Sequence, residues 1–192
     1  MVADHPTDRD TFGHWLSGFV DGEGMFLLKW HTCRDYQIPV AGFEIHLRLD
    51  DRSILEEIRD FLGVGTFYDR PERIHGPEKT RSKPQLCYRV NITKHLAKVV
   101  VPNFERYPLR AKKRNDFAIW KQGVALLYRV WKRPMQSAGY RKGTTRRWSV
   151  AQLAEFESLM MALREQRKFE ASTPVIPPSV PTNGDQLRLW GD

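Results

Sequence analysis

The stretch Leu16-Ser17-Gly18-Phe19-Val20-Asp21-Gly22-Glu23-Gly24 constrains this chain more than any other. It closes a run with helical spacing: Phe12, Trp15, Leu16, Phe19 and Val20 recur every three or four residues and would line one side of a helix. Asp8 or Asp10 can cap its start, and Gly24 can stop it by taking the left-handed conformation that ends helices. Ser17, Gly18, Asp21 and Gly22 fall on a different, mostly small strip. A glycine inside a helix costs roughly 1 kcal/mol relative to alanine. Two of them stacked one turn apart imply that another backbone must come close. Asp21 and Glu23 then stand at the helix C-terminus, where the last carbonyls favour a cation.

Beyond Gly24 the pattern turns extended. Met25 to His31 and Ala41 to Leu49 read as two strands, joined by a polar loop that includes Arg34, Asp35 and Pro39. In the second, Phe43, Ile45, Leu47 and Leu49 alternate with Glu44, His46 and Arg48, so one face is apolar and the other polar. A helix follows, capped by Asp50 or Asp51, bearing Ile54, Leu55, Ile58, Phe61 and Leu62, and closed by Gly63. Thr66 to Arg70 and Gln85 to Ile92 read as further strands around a polar loop, and Thr93 can cap a short helix to Val101. A long helix should bury Phe117, Trp120, Val124, Leu127 and Trp131. Ser149 and Gln152 form a capping box for a last helix with Leu153, Phe156, Met160 and Leu163.

The chemistry of the whole chain is basic. The 192 residues carry a net charge of +8, which points to a polyanionic partner. Between Asn103 and Trp148 there are thirteen Lys or Arg against two acids, more than enough to account for it. Cys33 and Cys87 have no metal-binding spacing and suit a reducing compartment. No apolar run is long enough to span a membrane, and the polar N-terminus is unlike a signal peptide, so a cytoplasmic protein is expected. One domain is expected over residues 1–171, its basic helical part from 103, followed by a Pro-rich, disordered tail from 172 to 192.

The nine-residue stretch, LSGFVDGEG, resembles the LAGLIDADG motif, and LEEIRDFLGVG resembles the pattern that follows the first hairpin in the same family. The chain is similar to single-motif homing endonucleases. The resemblance implies an α+β fold of αββαββα order, with a curved antiparallel DNA-binding sheet and extra C-terminal helices here. It implies a homodimer in which Ser17, Gly18, Asp21 and Gly22 face their twofold mates. It implies that Glu23, where the family more often has Asp, is delivered to a shared metal site, with the Gly22 carbonyl as a further ligand. Mg²⁺ is the expected ion, with Mn²⁺ able to replace it and Ca²⁺ supporting binding without cleavage. A lysine near the start of the fourth helix, Lys112 or Lys113, would stabilise charge at the scissile phosphate, with Lys112 slightly favoured. The family's Gln near the end of the second strand is matched by Leu47, and His46, Arg48 or Arg52 would have to stand in for it.

The implied substrate is double-stranded DNA with a long pseudo-palindromic target. A two-stranded ribbon fits the major groove, where Arg, Gln and Glu read base edges. Lys29, His31, Glu44, His46, Arg48, Tyr68, Arg70, Gln85 and Arg89 would form that reading surface, and Arg141, Lys142, Arg146 and Arg147 would hold phosphates. Expression in an organelle and an origin in an intron are compatible with the family. The competing reading is a non-cleaving binder on the same fold, either an RNA maturase or a DNA-binding regulator.

Overall fold

The motif helix α1 (Asp8–Glu23) leads directly into a hairpin of two long strands, β1 (Gly24–Cys33) and β2 (Tyr36–Arg48). The computed structural model describes residues 8–33, 36–71, 73–75, 80–132 and 148–168. A single turn, Leu49–Asp51, passes into α2 (Arg52–Leu62). β3 (Thr66–Arg70), a small hairpin of β4 (Arg73–His75) and β5 (Thr80–Ser82), and β6 (Gln85–Val90) follow. Helical backbone then runs from α3 (Thr93–His95) through a π turn, Leu96–Val100, into α4 (Val101–Arg106). α5 (Lys113–Trp131) and α6 (Val150–Gln166) complete the described fold.

The main sheet is antiparallel in the order β1-β2-β6-β3. Its register decides which side chains share a face. Glu44 pairs with Met25 and Arg89, His46 with Cys87, and Arg48 with Gln85, while Tyr68 and Arg70 sit opposite Cys87 and Gln85. The intervening residues Phe26, Leu28, Phe43, Ile45, Leu86, Tyr88 and Val90 all point the other way and are buried under the helices. Phe26 is the hub: its ring lies 4.9 Å from Trp120, 5.5 Å from Phe117, 5.6 Å from Phe43 and 5.7 Å from Phe104. Such aromatic contacts add to the area term that drives the core together. α6 closes the far side of this core through Phe156, Met160 and Leu163, with Phe156 edge-on to Trp30.

Several sequence expectations change. Both strands of the first hairpin are longer than the alternation suggested, and Pro39 lies within β2 opposite Trp30, not in a loop. It is tolerated because β6 pairs β2 only from Phe43 to Arg48, leaving the Pro39 stretch at an edge. The loop between β3 and β6 contains the β4–β5 hairpin. Helical backbone extends past Val101 to Arg106, and Thr93 and Asp51 make no side-chain cap. Gly63 does end α2 in the left-handed conformation, its N–H bonded to the Arg59 carbonyl. Gly24 does not: among the described glycines only Gly63 and Gly65 have positive φ. Gly24 is there for space, since a Cβ would lie 2.5 Å from the Val20 side chain. Trp131, expected in the core, is 49% exposed, and Trp15 on the α1 stripe is 40% exposed. The Ser149–Gln152 capping box forms with both reciprocal bonds. The 134–148 loop apart from Trp148, and the 172–192 tail, lie outside the described residues.

Candidate active site and nucleic-acid interface

The C-terminal end of α1 is built by three side chains with different tasks. Asp21 turns back to the chain ahead of α5: its Oδ2 accepts from Arg110 N at 2.8 Å and Ala111 N at 3.1 Å. That contact fixes where α5 begins. Lys113, in the first turn of α5, then reaches the open end of α1 and donates to the Gly22 carbonyl at 3.1 Å and the Gly24 carbonyl at 2.6 Å. This is the cation that the helix end attracts. Burial pushes the Lys113 ammonium down from its ordinary value, against the opposing charges of Asp116, Asp21 and Glu23. Glu23 itself is exposed, and no hydrogen bond holds its carboxylate among the described residues.

Lys113 is braced from behind. Asp116, one turn further along α5, is buried and accepts from Arg167 Nε at 2.8 Å. Arg167 also donates to the Phe26 carbonyl, so the end of α6, the start of α5 and the start of β1 are tied at one point. Neither Asp116 nor Arg167 was singled out from sequence. Arg167 comes from 141 residues beyond Phe26, and only the fold brings them together. Of the two candidate lysines, the structure brings Lys113 and not Lys112 to the motif end; Lys112 is exposed at the N-cap of α5.

The small strip on α1 divides. Ser17 is 3% exposed and donates within its own chain to the carbonyls of Gly13 and Tyr107, so it faces inward instead of toward a partner. Asp21 is likewise engaged by its own chain. Gly18 and Gly22 are exposed, and a Cβ on either would meet nothing within 4 Å. Trp15 stacks on Phe19 beside them with ring centroids 5.1 Å apart.

The face of the sheet away from the helices carries the expected reading residues. Lys29 and His31 on β1, Arg48 on β2, Gln85 on β6 and Tyr68 on β3 are exposed there, with Arg70 half-buried. Glu44 departs from that expectation. It is 4% exposed and presents no free carboxylate. Its Oε1 lies 2.6 Å from Arg89 Nε in an ion pair whose N–H is not aligned with the oxygen. Its Oε2 lies 2.8 Å from His46 Nε2, 3.8 Å from Cys87 Sγ and 4.0 Å from Arg70. Burial alone would raise the Glu44 carboxyl, but the His46 hydrogen bond and the Arg89 charge outweigh it, and the net direction is down. Burial and the Glu44 charge push the Cys87 thiol up to about 11. Arg89 also sits over the Tyr68 ring, 4.6 Å from its centroid.

The position of Leu47 is instructive. It packs on the core side of β2, while His46 Nε2 bonds Glu44 and Arg48 and Arg52 pair at the exposed surface with Asp50 and Glu56. Arg141, Lys142, Arg146 and Arg147 lie outside the described residues.

No helix among the described residues is long and apolar enough to cross a membrane. The chain is 35% identical over 133 residues to a 50.9 kDa protein encoded in ND4 intron 1 of Podospora anserina, covering 66% of this chain and 27% of that one. It is 28% identical over 118 residues to the probable intron-encoded endonuclease Cox1-I1b of Schizosaccharomyces pombe, covering 61% and 28%. The chain thus spans about a quarter of the length of these relatives. Among solved structures, the meganuclease I-SmaMI bound to uncleavable DNA superposes with a TM-score of 0.63 at 18% identity, covering 81% of this chain and 46% of that one. At that identity the likeness is one of fold. The family model for LAGLIDADG endonucleases matches residues 16–124, from the first residue of the nine-residue stretch through Lys113 and into α5. A helix that ends on an exposed acid, a lysine set on its last carbonyls and a family match spanning both make this chain a member of the LAGLIDADG endonuclease family.

Proposed function

We propose that this chain is a site-specific double-strand DNA endonuclease that works as a homodimer with a divalent ion. The observation that carries the reading is the end of α1, where the exposed Glu23 carboxylate stands beside Lys113 on the Gly22 and Gly24 carbonyls. The fold of a DNA-bound meganuclease and a basic chain of net charge +8 support the same substrate.

The donor set suits a hard cation. Glu23 supplies a carboxylate, and the Gly22 carbonyl keeps a second lone pair beside its bond to Lys113. One chain offers too few such ligands; a second copy and phosphate oxygens would complete the shell. We assign the ion as Mg²⁺, replaceable by Mn²⁺, with Ca²⁺ supporting binding alone. When bound, it would neutralise phosphate charge and make a water nucleophilic. Glu23 orients that site. Lys113 holds a proton at Nζ in a partly desolvated position, where its charge stabilises a phosphorane-like oxygen more strongly than it would in water. The exposed strip of Gly18 and Gly22 admits a second α1, bringing a second Glu23 close to the first.

The test uses a duplex selected from a random library by the wild-type protein. Glu23→Gln should bind it in Ca²⁺ as tightly as wild type, or more tightly because negative charge facing phosphate is removed. In Mg²⁺ it should cut neither strand. Cleavage by Glu23→Gln at the wild-type rate would overturn the assignment. Leu47, which puts no polar group where the family has Gln, favours one second reading: a binder on this fold that does not cut, such as a maturase or a regulator. Wild-type binding without cleavage would support it.

A further inference from the structure

Three strands meet at Glu44. It is on β2, Arg89 on β6 and Arg70 on β3, while His46 is two residues along β2. All lie on the face away from the core, yet the carboxylate at their centre is covered. A charge this buried is kept only when it is paired on more than one side, and here it is surrounded by Arg89, His46 and Arg70. The cost of that arrangement needs a reason. An isosteric apolar residue would fill the same space without drawing three basic side chains inward.

The reason lies in what the cations have left over. Free arginine is long and samples many rotamers, and ordering it at an interface costs affinity and blurs selectivity. Arg89 is held from two directions, with Nε beside Glu44 Oε1 at 2.6 Å and its guanidinium 4.6 Å from the centre of the Tyr68 ring. Among the described residues its two terminal nitrogens have no hydrogen-bond partner, and they can take an outside acceptor pair. That fork matches the O6 and N7 of guanine in a major groove. His46, with one ring nitrogen given to Glu44, keeps the other for a base edge.

We propose that Glu44 is a positioning residue for base recognition: without touching DNA, it holds Arg89, His46 and Arg70 in one fixed constellation that reads consecutive base pairs. This rests on the reading of the open sheet face as the DNA interface. It also explains why a carboxylate, which would repel phosphate if exposed, stands in a basic reading surface.

The experiment is selection from a duplex library with a randomised core, followed by sequencing, for wild type, Glu44→Gln, Glu44→Asp, Arg89→Gln and the Glu44→Gln/Arg89→Gln double variant. Binding to one fixed duplex of arbitrary sequence is measured alongside across a salt series. Wild type should enrich a motif. Arg89→Gln should lose discrimination at one or two positions by at least about tenfold, the loss expected for one good bidentate contact. Glu44→Gln should lose it at the same positions, and the double variant should be no worse than Arg89→Gln alone. Arbitrary-duplex affinity and its salt slope should change little. Glu44→Asp keeps the charge and withdraws it by one methylene; circular dichroism establishes that it folds, and it should relax the same positions even where Glu44→Gln does not fold. A wild-type motif left unchanged by both Glu44 variants, or altered at positions Arg89 does not read, overturns the role of Glu44 alone. A wild-type protein that binds duplex but enriches no motif overturns the reading-surface assignment, and the role of Glu44 with it.

Discussion

Two adjacent lysines of equal chemistry end in different places because consecutive side chains on a helix are about 100° apart. Lys112 faces solvent at the start of α5, and Lys113 turns onto the carbonyls of Gly22 and Gly24. Lys113→Met should therefore lower DNA cleavage by roughly 10²- to 10³-fold, the usual loss for one charge-stabilising donor, with Ca²⁺-supported binding little changed. Lys112→Met should leave the rate within a few-fold of wild type; equal losses from both would contradict the placement. A second residue-scale expectation concerns Cys87, fully buried beside Glu44. The thiolate is the reactive form, and here it is favoured only near pH 11. In a Cys33→Ser background, alkylation of the native protein should be far slower at pH 8 than for an unfolded control, and should rise with pH through 10. Rapid labelling at pH 8 would show that the pocket opens.

At the scale of an element, α1 uses its glycines in two different ways. Gly24 sits against its own chain, where a Cβ would lie 2.5 Å from Val20 Cγ1 and 3.0 Å from the Val20 carbonyl. Gly18 faces open space. Gly24→Ala should lower the melting temperature by several degrees, since overpacking of this kind costs about 1–3 kcal/mol. Gly18→Leu should keep the helical signal in circular dichroism while separating two copies in analytical ultracentrifugation on DNA. A stable DNA-bound dimer of Gly18→Leu would remove the argument for close helix packing. Ser17 and Asp21, which look equivalent to Gly18 in the sequence, belong to the first kind: their hydrogen bonds stay within the chain.

For the whole molecule, the excess positive charge is concentrated between Asn103 and Trp148, with thirteen Lys or Arg against two acids. Each phosphate neutralised releases counterions, so binding should weaken steeply with salt. Replacing Arg141, Lys142, Arg146 and Arg147 by Ala should weaken binding to every duplex alike and reduce the slope of log K against log salt by about one per lost phosphate contact. Loss of sequence preference with an unchanged slope would instead place these four residues at base edges. The end of α6 is tied to the starts of α5 and β1, because Arg167 spans Asp116 and the Phe26 carbonyl.

Local pattern was enough for much of the fold. Period-two alternation gave the two faces of β2 and β6, helical spacing gave α2 and the core stripes of α5 and α6, and the Ser149–Gln152 pair gave a cap; each is decided by neighbours a few residues away. The nine-residue motif also marked Glu23 at a helix end. Tertiary structure alone decided the rest. Lys113 over Lys112, the Asp116–Arg167 brace and the burial of Glu44 depend on segments distant in sequence arriving at one point. A carboxylate in an alternating strand looks solvated until β6 and β3, on one side of β2, bring Arg89 and Arg70 to it, and Trp131 on a helical stripe looks buried although the fold leaves it 49% exposed. Those outcomes follow from register and packing, which no window of local sequence contains.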